Sequence, residues 1–199
     1  MAALLAGLFL GIFSARAQNT WNGTTPDWNT GTNWTPTAVN GPTGTAVFGS
    51  AATTSLTFSG EPNGVGIIKF DAGAPAYTLT LVDHQLNING AGIENLSSHP
   101  PQFIIQDIHI NGEADSFSGL IFDNGATAAN AVITNETLLN FFGTSTADHA
   151  TITTEMVRPF NGTNFGSAGT AFFGTSTASH STLITQNFGA TDFLENSTG

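Results

Sequence analysis

The heptapeptide Phe-Phe-Gly-Thr-Ser-Thr-Ala occurs twice, at 141–147 and 172–178, and each copy continues through two polar residues into a β-type run. A looser copy spans Ile121 to Ile133, and a fourth begins at Phe193-Leu-Glu-Asn-Ser-Thr198. The Thr of Thr-Ala falls at 127, 146 and 177, and its counterpart is Thr198, giving steps of 19, 31 and 21 residues. A unit of about 20 residues has too little apolar surface to offset its own conformational entropy. Copies must therefore stack, Phe on Phe and Ile on Ile, with parallel strands sharing hydrogen bonds along the stacking axis. The predicted architecture is a parallel β-helix, or β-solenoid, of coils near 20 residues. The long step predicts an insertion looping outward at about 158–169, where Pro, Asn and three Gly concentrate. The fourth copy stops at Thr198-Gly199, which reads as truncation within a repeat.

Composition agrees with an all-β chain. Only 9% of residues are charged, against about 25% in an average globular protein. The chain is 40% hydrophobic with 16 Phe, enough to fold rather than stay disordered. Its polarity comes from Thr, Ser, Asn and 23 Gly, residues of pleated surfaces and turns. Short β-type runs are expected at 54–58, 65–70, 77–82, 85–89 and 103–110, with turns at Asn89-Gly90, Ala91-Gly92 and Asn111-Gly112. The resulting division is a signal peptide at 1–17, a Trp-rich segment at 18–45, first coils at 46–119 and tandem repeats at 120–199. Trp21, Trp28 and Trp34 crowd into the second segment. Their indoles are expected to cover an open end of the core, where unpaired edges need protection. Stacking on sugars is the other use of such a cluster.

Ala2 to Phe13 is an apolar run of signal-peptide length, and Ala15-Arg-Ala17 supplies small residues for cleavage near Ala17-Gln18. No Lys or Arg precedes the run, which suggests a start codon further upstream. Export is the expectation, and no transmembrane helix is expected in the mature chain. The absence of cysteine leaves an exported chain to rely on sheet and core rather than disulfides. A net charge of −11 with only Arg16, Lys69 and Arg158 as basic residues excludes phosphate-dependent nucleic-acid binding. Six Asn-x-Ser/Thr sequons, at Asn22, Asn33, Asn95, Asn135, Asn161 and Asn196, follow from the composition.

The repeat Phe-x-x-x-Ser/Ala-Thr-Ala-x-x-Ala-x-Ile resembles the passenger-associated repeat of bacterial autotransporters. The opening Trp21…Asp27-Trp28…Asn33-Trp34, with Val47-Phe48-Gly49 and Ile67-Ile-Lys-Phe70, is similar to the start of such passengers. The likeness covers nearly all of the mature chain. It implies a right-handed parallel β-helix with a Trp-rich N-terminal cap, displayed at or released from the cell surface. The implied role is a stalk or adhesin without catalysis, with glycans or further copies of the chain as partners. The translocating C-terminal barrel of that family is absent from this sequence, so an N-terminal fragment is expected.

Chemistry-bearing residues are few. His149 and His180 occupy the same repeat position, where the first copy has Asn130, and Asp148 is adjacent. Two imidazoles and one carboxylate fall short of the ligands zinc usually takes, so a polar corner stack without metal is expected. Asp107 and His109 share a strand face, but no third partner or nucleophile is marked. No Gly-x-Ser-x-Gly or phosphate loop occurs, and no clustered carboxylates suggest a glycosidase. No catalytic residue, cofactor or metal is expected. The alternatives are a fragment of a polysaccharide-degrading β-helix enzyme, or a separate carbohydrate-binding β module at 18–112 with the repeats as linker.

Overall fold

Side chains that alternate along strands such as Thr78–Val82, Gln102–Gln106 and Thr151–Glu155 sort the chain into an inside and an outside. The computed structural model describes residues 18–36, 41–61, 63–106, 118–156 and 168–199. Within them run β1 (Gln18–Trp21), β2 (Trp34–Thr35), β3 (Gly41–Phe48), β4 (Ser55–Thr57) and β5 (Asn63–Phe70). There follow β6 (Thr78–Val82), β7 (Gln85–Asn95), β8 (Gln102–Gln106), β9 (Gly119–Phe122) and β10 (Val132–Asn135). The last are β11 (Leu138–Phe141), β12 (Thr151–Glu155), β13 (Gly169–Phe172), β14 (Thr182–Gln186) and β15 (Ala190–Phe193). In β6, Leu79 and Leu81 are buried while Thr78, Thr80 and Val82 face outward, the two-residue period of a half-buried strand.

The strands divide by parity. One sheet has the order β15-β13-β11-β9-β7-β5-β3-β1-β2 and the other β14-β12-β10-β8-β6-β4. Among the described residues every strand pairing is parallel except β1 with β2, which meet antiparallel at the outer edge of the larger sheet. Neither sheet closes into a barrel among the described residues. A third row of single parallel bridges links Gly92, Thr127, Thr146, Thr177 and Thr198 in succession. The same two sheets run through 41–106 and through the repeats, because β7 pairs with β9 and β8 with β10. The described strands up to Gln106 therefore belong to the same two sheets as the repeats.

Register decides the core. Phe122, Phe141, Phe172 and Phe193 are successive partners on β9, β11, β13 and β15. Their rings stack at 4.9, 4.7 and 4.9 Å, tilted by no more than 10°. That spacing is the separation of neighbouring strands, so each ring lies nearly parallel to its neighbour one strand further on. Opposite them, Leu79, Phe103, Ile133, Ile152 and Leu183 form a second column on the even strands. Small buried residues line the corners between columns: Ala126, Ala128 and Ala131, then Ser145, Ala147 and Ala150. One column turns polar along its length, from Leu81 and Ile105 to Asn135, Thr154 and Thr185. Its buried members are hydrogen-bonded, as burial requires. Asn135 Nδ2 donates to Gly169 O at 2.8 Å, and the hydroxyls of Thr154 and Thr170 meet at 2.6 Å.

Three expectations about boundaries change. The turns expected at Asn89-Gly90 and Ala91-Gly92 lie inside β7, which runs on to Asn95 across a register shift against β5. Both glycines are needed for close approach: a Cβ on Gly90 would lie 2.4 Å from Gly66 O, and one on Gly92 would lie 2.2 Å from Thr127 N. Gly169, placed in the insertion, is instead the first residue of β13 and partners Leu138; residues 157–167 lie outside the described residues. β3 begins at Gly41, before the expected end of the Trp-rich segment at 45. The expected signal peptide at 1–17, the end of the expected run at 103–110, Asp107, His109 and Asn111-Gly112 also lie outside the described residues. No described helix is long and apolar enough to cross a membrane.

Tyr77, the only tyrosine in the chain, is buried against Phe48 and Phe70 and donates its hydroxyl to Gly49 O at 2.7 Å. Burial, opposed in part by a hydrogen bond from the Ala51 backbone, pushes its phenol up to about 12. The neutral phenol is thus favoured by the folded state, and the unfolded chain loses this proton first. The contribution is complete below about pH 10 and is lost as pH rises through about 12, roughly 2–3 kcal/mol in all. Absorbance at 295 nm follows this single phenol: native protein should ionise about two units above the unfolded chain, and Tyr77→Phe should flatten the stability profile above pH 10.

Candidate functional site

The corner before each of β10, β12 and β14 is built by Thr. The Thr127, Thr146 and Thr177 Oγ1 atoms accept from the backbone N–H two residues on, at Ala129, Asp148 and Ser179, at 2.9, 3.0 and 3.0 Å. The next hydrogen bond closes a four-residue turn, from Ala131, Ala150 and Ser181 N–H back to Ala128, Ala147 and Ala178 O. The residue after each Ala then takes a positive φ: 51° at Ala129, 52° at Asp148 and 54° at Ser179. Asp tolerates this left-handed geometry better than most residues. The turn throws the following side chain, Asn130, His149 or His180, to the surface.

Because the corners are in register, these side chains line up. The imidazoles of His149 and His180 stack at 5.1 Å and 10°, and both are exposed. His149 Nδ1 lies 2.7 Å from Asp148 Oδ1, and His180 Nδ1 lies 3.1 Å from Ser179 Oγ. Ligand atoms of Asp148, His149 and His180 all fall within 4.8 Å of one another. One rung earlier Asn130 accepts from Asn95 Nδ2 at 3.0 Å, so this ladder is amide at one end and imidazole at the other. Open to solvent on one side, the triad is suited to holding a cation or an acceptor group at the surface rather than to acid–base chemistry in an enclosed site. Sequence reasoning placed the two histidines at one repeat position. It missed Ser179 as a partner, and it missed the left-handed corner that turns Asp148 toward its neighbour.

The tryptophans take the opposite course. Trp21, Trp28 and Trp34 are buried to within 3%, so none of the three indoles presents a face to a sugar ring. Trp34 packs edge-on against Trp21 at 5.1 Å and against Trp28 at 4.9 Å, and Trp28 stacks on Phe58 at 5.2 Å. Two of their N–H groups are used internally: Trp21 Nε1 donates to Thr53 O and Trp34 Nε1 to Trp28 O. Buried Asn33 holds the surrounding loop by donating to Asp27 O and Thr25 Oγ1 and accepting from Thr25 N. Partial burial of Asp27 opposes its ionisation, but hydrogen bonds led by that from the Thr30 hydroxyl outweigh it and hold the carboxyl below its ordinary value. Among the described residues, hydrogen bonding accounts for the shift of Asp27 and burial for that of Tyr77, both at this end. Asn33 and Asn135 are fully buried, so two of the six sequons are closed to modification in the folded chain.

No protein-family model matches the chain, and no curated protein or solved structure shows significant similarity to it.

Proposed function

We propose that the chain is an exported right-handed parallel β-helix with a Trp-rich N-terminal cap, acting as a non-catalytic stalk or adhesin at a bacterial surface, as in autotransporter passengers. The observation that carries this reading is the bridge row Thr127–Thr146–Thr177–Thr198. Steps of 19, 31 and 21 residues each return the chain to one axial line, so every circuit is one coil. Connections between parallel strands of one sheet are right-handed in about 98% of cases. Nine strands in one sheet make a column of about 35–40 Å at the ordinary strand spacing. Backbone hydrogen bonds along the axis stiffen such a column, while its outer face carries Thr, Ser and Asn suited to weak, polyvalent contact with glycans or with further copies.

Expression of the full chain in a Gram-negative host tests export. Material outside the cytoplasm that begins at Gln18 is expected, and a cytoplasmic chain beginning at Met1 would overturn this part. Incubation with a panel of polysaccharides tests the rest. Binding without turnover supports a stalk or adhesin, whereas depolymerisation abolished by one Asp or Glu substitution would make the chain an enzyme.

A further inference from the structure

We infer that Asp148, His149 and His180 form a binding site for a borderline transition-metal dication, of the copper(II), nickel(II) or zinc(II) class, bridging two successive repeats. The chemistry follows from which nitrogen each partner engages. Asp148 Oδ1 sits 2.7 Å from His149 Nδ1, which stabilises the tautomer protonated at Nδ1 and leaves the Nε2 lone pair free. A carboxylate behind a ligating imidazole is the usual second partner of a metal-bound histidine. Ser179 Oγ lies 3.1 Å from His180 Nδ1, and when the hydroxyl accepts there the Nε2 lone pair of His180 is free as well. The nearly parallel rings, tilted by 10°, then offer one Nε2 each from neighbouring corners.

Counting ligands along the sequence argued against a metal, because two imidazoles and a carboxylate are too few for a closed zinc site. An open surface site has no such requirement, since water completes the shell. A ring separation of 5.1 Å exceeds the roughly 3.3 Å between ligand atoms around a tetrahedral ion with bonds of about 2.0–2.1 Å. Both imidazoles therefore have to swing toward each other, which their exposure allows. Imidazole ligands select the later first-row ions over magnesium and calcium. The charge of −11 on the whole chain further raises the local concentration of any dication.

The site is internally controlled, because Asn130 occupies the same corner one repeat earlier and shows that the turn accepts Asn. Tag-free full-length protein is titrated calorimetrically with zinc(II) and nickel(II). One ion per chain is expected, with His149→Asn and His180→Asn each weakening binding at least about tenfold and Asp148→Asn by about tenfold. His84→Asn, away from this corner, should leave affinity unchanged. An H149N/H180N double variant that binds as tightly as the parent would overturn the site, as would displacement of zinc(II) by equimolar magnesium. Should the double variant fail to fold, copper(II) electron paramagnetic resonance on the unmodified chain decides the matter. Coupling to two imidazole nitrogens supports the site, and coupling to fewer refutes it.

Discussion

Replacing Phe141 by alanine is expected to destabilise the folded chain by about 3–5 kcal/mol, the range for truncating a fully buried aromatic. Phe141 has no solvent exposure and lies between Phe122 and Phe172, at 4.9 and 4.7 Å. Removing its ring opens a gap in a column whose neighbours are held at strand spacing by backbone hydrogen bonds and cannot close in. With a urea dependence of about 2 kcal/mol per molar, the denaturation midpoint followed by far-UV circular dichroism should fall by about 1.5–2.5 M. The adjacent residue supplies the contrast. Phe142 stacks on Phe173 at 4.7 Å, but both rings are only half-buried, so Phe142→Ala should cost about 1 kcal/mol, the worth of an aromatic pair. Equal losses from the two substitutions would mean that inside and outside are wrongly assigned along β11.

Gly92→Ala is the second large effect, at least about 3 kcal/mol, because strain and overlap add at one position. The φ of Gly92 is +95°, and a Cβ there would sit 2.2 Å from both the N and the O of Thr127. Those two backbone atoms carry the first step of the bridge row: Thr127 N–H donates to Ala91 O, and Ile93 N–H donates to Thr127 O. Relief of the overlap must pull the strands apart and so break both hydrogen bonds. Gly73 has nothing within 4 Å of its Cβ direction, and Gly73→Ala should stay within about 0.5 kcal/mol. A thermal melt of both variants suffices; a Gly92→Ala chain melting with the parent would disprove the close approach.

The corner turns show how far sequence reading reached. Phe, Thr and the Ala after it recur because each has one job at one place in every circuit: the ring fills the column, the hydroxyl closes the turn, and the methyl fits where the chain passes close to the interior. Identical duties leave identical letters, so the bridge partners Thr127, Thr146, Thr177 and Thr198 could be picked out despite their uneven spacing. Gly92 does take the positive φ expected of it, but neither it nor Gly90 ends the strand, because a glycine needed for close backbone approach and a glycine needed for a turn look the same in sequence.

The sequence by itself determined an all-β chain of stacked copies, because periodicity and composition are local properties and the copies are printed in order. It also placed His149 and His180 at one repeat position. Only the tertiary structure decided what lies across from what. It turned the three indoles inward onto Phe48 and Phe58, put Asn135 and Thr154 beside Thr170 in the core, and drew Asp148 onto His149. The physical reason is that alternation assigns a side chain to a face, whereas burial and hydrogen bonding depend on partners from strands and turns that are distant in sequence.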